Sequence, residues 1–404
     1  MRNLAPANKL LVLFLIALSS CSVKKKNTLR GDNEQTNILP AWALGGFVRQ
    51  ELNPVISPDS SSEFLDPVTG KPIRWESNDT FNPGAVEKDG KIVLLYRAED
   101  KSGVQIGKRT SRLGYAISAD GISFERNKAP VLFPAEDNQK DYEWPGGCED
   151  PRVAVTEDST YVVFYTQWNR DVPRLGVATS KDLMHWEKHG PIFKNATKGN
   201  LINTANKSAS IVTKLAGDRL VIAKVNGKYM MYWGEKGVYL ATSNNLFDWE
   251  PLIGEDGKPK PLISPRTGFF DSDLTECGPP ALITDNGILL LYNGKNNGSG
   301  KGDKRFNDDS YCAGQVLFDK NNPEKVIGRL NVPFLRPMAP FEKSGQYVDG
   351  TVFIEGLVYF KQKWFLYYGC ADSRVAVAVY DPLNPAPPDP LVIASNKSGT
   401  GKTQ

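Results

Sequence analysis

Two carboxylates and a guanidinium crowd into four residues at Glu149-Asp150-Pro151-Arg152, just before an apolar strand, Val153 to Val155. The proline fixes φ near −65° and removes a donor, so the stretch reads as an extended strand approach and not as a helix. Four other segments occupy the same position ahead of an apolar strand. They are Phe81-Asn82-Pro83-Gly84, Lys207-Ser208-Ala209-Ser210, Glu276-Cys277-Gly278-Pro279-Pro280 and Val348-Asp349-Gly350-Thr351. Each brings an amide, a carboxylate, an amine or a hydroxyl. A second set of polar residues follows the next strand of each segment: Arg97, Thr166, Glu235, Asn293 and, after Gly369, Asp372. If paired strands return to one mouth, Asp150, Glu235, Glu276, Asp349, Asp372, Arg97 and Arg152 converge on one pocket. Converging polar groups in a concave site are the default signature of an active site. Carboxylates and arginines that grip hydroxyl pairs, with Trp144 and Trp233 to cover a ring face, suit a sugar. Acid and base carboxylates with separated pKa values suit glycosidic cleavage.

The elements that must position these residues repeat along the chain. Leu113-Gly114-Tyr115-Ala116-Ile117-Ser118 returns as Leu175-Gly176-Val177-Ala178-Thr179-Ser180 and as Val238-Tyr239-Leu240-Ala241-Thr242-Ser243. Weaker copies begin at Ala313 and Val375. Ahead of each lies a hydrophobic strand ending in tyrosine: Tyr96, Tyr165, Tyr232, Tyr292 and Tyr367-Tyr368. Turn signals such as Asp89-Gly90 and Asn226-Gly227 divide the strands. No long helical period is present. Five repeats, each long enough for four strands, predict an all-β chain folded as a five-bladed β-propeller. A two-sheet sandwich leaves the five repeats unexplained.

The ends read differently. Arg2 and Lys9 precede the apolar run Leu10 to Leu18, which ends at Leu18-Ser19-Ser20-Cys21. The run is too short to span a bilayer and has the layout of a secretory signal. The small residues before Cys21 resemble a bacterial lipoprotein cleavage box. The expected organisation is a signal peptide over 1–20, a tether over 21–46, a catalytic domain over 47–385 and a tail over 386–404. The protein is then expected to be exported and lipid-anchored through Cys21, facing the periplasm or standing on the outer-membrane surface. The chain has 404 residues and a net charge of +3. No basic run interleaves with aromatics, so no nucleic-acid partner is expected. The two histidines, His185 and His189, share one loop. That speaks against a histidine metal site and a Ser-His-Asp triad. No Asp-x-Asp-x-Asp-Gly loop is present, and no metal or cofactor is expected. Cys148, Cys277, Cys312 and Cys370 follow no CxxC spacing and read as small buried residues.

Taken together, Phe81-Asn82-Pro83, Leu95-Tyr96-Arg97, Gly147 to Arg152, Gly278-Pro279-Pro280 and Tyr368-Gly369-Cys370-Ala371-Asp372 resemble glycoside hydrolase family 130. The resemblance covers about residues 75 to 382. It implies a five-bladed propeller and inverting action on β-mannosides, by phosphorolysis in most members and by hydrolysis of β-1,2 linkages in others. It implies Asp150 as general acid, delivering its proton through a sugar hydroxyl. Asn82, Arg97, Arg112 and Arg152 match positions that contact the sugar or shape the pocket, as do Asp372 and, more weakly, Asp349. Where phosphorylases carry a His-Arg pair, this chain has Trp233-Gly234-Glu235. Glu276 stands where a small or apolar residue is usual, and Lys207 retains one basic group. Phosphate needs cationic partners, whereas water needs a base. The expected activity is therefore that of an exo-acting inverting β-mannosidase hydrolysing β-1,2 linkages in mannan-type, mannose-containing oligosaccharides, with Glu235 and Glu276 activating water. A mannoside phosphorylase and a non-catalytic glycan-binding lipoprotein are the alternatives.

Overall fold

The structure, a computed structural model, describes residues 39–387, 389 and 391. The signal segment, Cys21 and most of the tether and tail lie outside the described residues. Residues 39–46, assigned above to the tether, are not loose. Trp42, Ala43 and Leu44 pack on the core, and the Leu44 backbone exchanges two hydrogen bonds with the Gln315 amide. Their apolar side chains place the start of the packed body earlier than the expected boundary.

The described chain is all-β, with one short helix, Lys140–Glu143, and two 3-10 turns. After a small hairpin, Phe64–Asp66 with Lys71–Ile73, five larger antiparallel sheets follow in sequence. The first comprises Asp79–Lys88, Lys91–Glu99, Ser111–Ser118 and Glu125–Arg126. The second comprises Gly147–Val155, Tyr161–Trp168, Pro173–Ser180 and Glu187–Pro191. The third pairs Ala209–Ala216 with Lys228–Trp233, then Tyr239–Ser243 and Trp249–Pro251. The fourth splits its first strand into Leu274–Cys277 and Ala281–Thr284, followed by Gly287–Lys295, Tyr311–Phe318 and Val326–Arg329. The fifth comprises Val352–Phe360, Lys363–Cys370 and Arg374–Tyr380, and its outer strand, Val48–Arg49, comes from the start of the body. The first strands of the sheets crowd together. A Cβ on Gly84 would lie 2.6 Å from the Pro151 carbonyl oxygen, and one on Gly356 would lie 2.8 Å from that of Pro83.

The repeats have local causes. Asp89-Gly90 and Asn226-Gly227 both have positive φ at each residue, the type I′ geometry that matches strand twist. The recurring Ser-x-Asp or Ser-x-Asn that begins with the last residue of the third strand builds one turn three times. Ser118, Ser180 and Ser243 accept the N–H three residues on, from Gly121, Leu183 and Leu246. Asp120, Asp182 and Asn245 accept the next two N–H groups. These Asx turns let a polar side chain stand in for backbone.

The recurring tyrosines are also explained. Tyr96, Tyr165, Tyr292 and Tyr368 each donate to a buried carboxylate in the segment leading into the first strand of their sheet: Glu76, Glu143, Asp271 and Glu342. Each carboxylate is paired with a cation on the outermost strand: Arg126, Lys188, Arg329 and Arg49. This clasp ties the innermost approach to the outer edge of the sheet. The third sheet has none, since Tyr232 donates to the Pro323 carbonyl instead.

Candidate active site

The approaches to the first strands are bent. Bulges fall between Phe81 and Pro83 and between Glu149 and Arg152, and Asn82 and Asp150 have φ of 47° and 50°. Ser208 and Asp372 also lie at positive φ, 63° and 49°. Bulges re-aim a side chain at the cost of pairing, and such backbone strain persists where the surroundings over-determine it. The four bent residues are brought to one end of the sheets.

Three of them, Asn82, Asp150 and Asp372, line a cavity of about 300 Å³ together with Arg97, Glu149, Lys207, Glu235 and Glu276. Arg97, at the end of a second strand, organises one wall. Its Nη1 donates to Asp150 Oδ1 at 3.0 Å, and its Nη2 to Glu149 Oε1 at 2.9 Å and Glu99 Oε1 at 2.6 Å. Asn82 Nδ2 adds a bond to the same Asp150 oxygen at 2.9 Å. Among the described residues no protein donor reaches Asp150 Oδ2. Gly369 leaves room for the amide, since a Cβ there would lie 2.3 Å from Asn82 Oδ1.

In the same cavity Lys207 Nζ lies 3.4 Å from Glu235 Oε1 and 3.6 Å from Glu276 Oε1. Glu276 also accepts from the Ser208 hydroxyl. Its side chain is 2 % exposed, against 40 % for Glu235.

Burial pushes Asp150, Glu149, Asp372 and Glu276 upward, and the neighbours decide the outcome. At Asp150 burial is outweighed by the charges of Arg97, Lys207 and Arg152 and by the Asn82 bond, and the group is held well below the usual range. At Glu149 burial prevails over Arg97, with Asp150 and Glu99 adding to it, and the carboxyl is pushed up to about 7. Asp372 is likewise pushed up to about 7, by burial first. Glu276 is raised by burial and by Glu235, against Lys207. Lys207 is held above its ordinary value because Glu276 and Glu235 outweigh its burial.

Three residues expected in the pocket lie elsewhere. Arg112 is fully buried between Asp66, at 2.8 Å, and Asp100, at 2.9 Å. It is a structural ion pair, because no part of it reaches the cavity. Asp349 is exposed in a turn, where its carbonyl accepts from Asn307. Arg152 lies beneath the floor. It donates to the Asp150 carbonyl at 2.9 Å and the Cys277 carbonyl at 3.0 Å, and pairs with buried Glu355 at 3.0 Å. One guanidinium thus ties the backbone of Asp150 to the residue after Glu276.

The aromatic expectation is also corrected. Trp233 is buried against Phe193 and Tyr239, and Trp144 stacks under Lys140. The rings in the cavity wall are Trp168, Tyr311, Tyr347 and Phe353. Trp168 ends a second strand, the position that supplies Arg97, and that register would have found it. Tyr347 sits in a long loop and carries no such signal. All four described cysteines are free and buried.

Comparison with known proteins agrees with this geometry. The family model described as beta-1,4-mannooligosaccharide phosphorylase matches residues 53–383. The 1,2-beta-oligomannan phosphorylase of Thermoanaerobacter sp. (strain X514) is 32 % identical over 333 residues, covering 81 % of this chain and 95 % of that one. A solved glycosyl hydrolase from Bacteroides ovatus is 62 % identical, with a TM-score of 0.86, covering 88 % of this chain and 99 % of that one. Another solved structure is described as "The GH130 family of mannoside phosphorylases contains glycoside hydrolases that target beta-1,2 mannosidic linkages in Candida mannan". It is 60 % identical, with a TM-score of 0.87, covering 89 % of this chain and 100 % of that one. With its motifs and its cavity accounted for along most of its length, the chain belongs to glycoside hydrolase family 130.

Proposed function

We propose that the protein is an exo-acting, inverting β-mannosidase that hydrolyses β-1,2 linkages, built as a five-bladed propeller whose blades are the five sheets. The observation that carries the reading is the pair of carboxylates, Glu235 and Glu276, on either side of Lys207. Two carboxylates and one ammonium leave a net negative wall. Such a wall repels phosphate and suits a water molecule that must lose a proton. The 60 % identity to a structure described with glycoside hydrolases acting on β-1,2 mannosidic linkages supports the same choice.

In this reading each residue has a role that the geometry supports. Asp150 Oδ2 is the free acid oxygen, and protonates the leaving oxygen through a sugar hydroxyl. Glu276 and Glu235 hold and deprotonate the water on the other side of the ring. Arg97, Asn82 and Asp372 bind the sugar hydroxyls. Arg152, gripping backbone on both sides of the floor, fixes how far apart acid and base stand. Export as a lipoprotein through Cys21 fits a polysaccharide-derived substrate met outside the cytoplasm.

Phosphorolysis is the second reading. The ammonium of Lys207 favours it, as does the 1,2-beta-oligomannan phosphorylase relative. Incubation with β-1,2-mannobiose, with and without inorganic phosphate, separates the two. Mannose released at a phosphate-independent rate is the expected result. Mannose 1-phosphate formed only with phosphate present would overturn hydrolysis.

A further inference from the structure

Three carboxylates surround the single guanidinium of Arg97, and only two of them, Glu149 and Asp150, line the cavity. The third, Glu99, is fully buried behind them. Ser111 stands between Glu99 and Glu149. Its Oγ lies 3.1 Å from Glu99 Oε1 and 3.2 Å from Glu149 Oε1, and it accepts the Arg97 Nε–H at 3.0 Å. A serine hydroxyl has one proton and two lone pairs. One lone pair is taken by Arg97. The hydroxyl can donate to one carboxyl, and its remaining lone pair can only accept from the other. Both contacts are therefore satisfied when the two glutamates hold one proton between them.

We propose that Glu99 and Glu149 share one proton through Ser111, and that its position shifts as Asp150 ionises. While Asp150 is protonated, the proton rests on Glu99 and the charge on Glu149. When Asp150 gives its proton up, the Glu99 O–H bond breaks and an O–H bond forms at Ser111 Oγ. The hydroxyl's own proton leaves for Glu149 Oε1. No charge is created. The negative charge moves from Glu149, Asp150's neighbour in the cavity, to Glu99. There a second guanidinium, Arg109, waits at 3.2 Å from Oε2. Repulsion that would otherwise oppose ionisation of the acid is relieved. Glu149, raised to about 7 with Arg97, Asp150, Glu99 and Lys207 as its charged neighbours, fits a carboxyl poised between states. The remaining charges around the group are Asp372 on the cavity side and Asp79, which shares Arg109 with Glu99. None of them contacts Ser111.

The consequence for catalysis rests on the glycosidase reading, but the shared proton does not. Infrared difference spectra of the ligand-free protein at pH 7 read it directly. Wild type minus Glu149→Gln and wild type minus Glu99→Gln should each show the carbonyl stretch of a protonated carboxylic acid. Ser111→Ala should move that band, since the hydroxyl contact is gone. No band in the wild-type difference, or a band that persists in either glutamine variant, overturns the proposal. In turnover, measured with and without phosphate, Ser111→Ala should lower kcat about tenfold with KM within about twofold. Ser111→Thr, which keeps the hydroxyl, should restore it. A band that behaves as expected beside an unchanged kcat would keep the shared proton and overturn its role in the acid step.

Discussion

The second and third sheets both supply residues to the same cavity and are built to different standards. The second is clasped: Tyr165 and Lys188 both hold Glu143, at 2.7 Å and 2.5 Å, just ahead of the strand that carries Asp150. The third has no such clasp, and its contributions, Lys207 and Glu235, meet across 3.4 Å with Glu235 part-exposed. On the clasped side every polar contact to Asp150 Oδ1 is at 3.0 Å or less. The difference follows the chemistry proposed for each wall. An acid must aim one oxygen at one atom of the substrate. A base that works through water tolerates more slack, because the water adjusts.

If that contrast is right, the largest effect belongs to the clasped wall. Asp150→Asn keeps the shape and the oxygen facing Arg97 but has no carboxyl proton to give. We expect kcat to fall about 10³-fold, the middle of the range for general acid catalysis, with mannose still binding in calorimetry. Loss of less than tenfold would remove Asp150 from the acid role.

At the water site, made by Glu235 of the unclasped third sheet and Glu276 of the clasped fourth, the losses should be smaller and unequal. Glu276 is buried and held by Ser208, so it fixes a water more firmly than Glu235 does. Glu276→Ala is expected to lower kcat about 10²-fold and Glu235→Ala about tenfold. Azide should restore turnover in Glu276→Ala and yield the α-mannosyl azide, as attack on the face opposite the leaving group requires. Equal losses, or a β product, would contradict the assignment.

Lys207 sharpens the comparison through pH. Glu276 must be ionised to take a proton from water, and Lys207 opposes the upward push of burial on it. Removing the ammonium in Lys207→Met lets that push act alone. The folded-state pKa of Glu276 then rises, and the acid limb of kcat/KM should move to higher pH while the plateau falls only severalfold. A limb that stays in place would separate Lys207 from the base.

Much of this contrast was legible in the sequence. The repeats carried the five sheets because the copies reuse the same local solutions: the Ser-x-Asp/Asn turn in three, the tyrosine clasp in four and the bulged strand approach in two. Asn82, Asp150, Lys207 and Glu276 were visible as polar residues at matched positions ahead of apolar strands. Partners were not. Arg112 reads like any other arginine until Asp66 and Asp100, distant in sequence, close around it. Arg152 reads as a sugar contact until Glu355 and two carbonyls turn it under the floor. Whether an arginine meets solvent or a carboxylate depends on which loops come together. Neither spacing nor composition encodes that.

The clasp itself gives the finest test. Tyr165→Phe removes a hydrogen bond to a buried, paired carboxylate, a loss of about 1.5–3 kcal/mol, whereas Tyr232→Phe removes one to a neutral carbonyl, about 0.5–1.5 kcal/mol. Both leave the aromatic packing in place, so a difference in melting temperature reads the hydroxyls alone. Stability is only half of the comparison. Glu143 anchors the segment that delivers Asp150, and a slackened anchor should cost kcat a few-fold in Tyr165→Phe. Tyr232→Phe, in the sheet whose water-mediated role tolerates slack, should leave kcat within experimental scatter once the protein is folded. Equal kcat in the two variants would mean that the clasps hold the sheets together without aiming the acid, and the contrast between the walls would then rest on Arg97 and Asn82 alone.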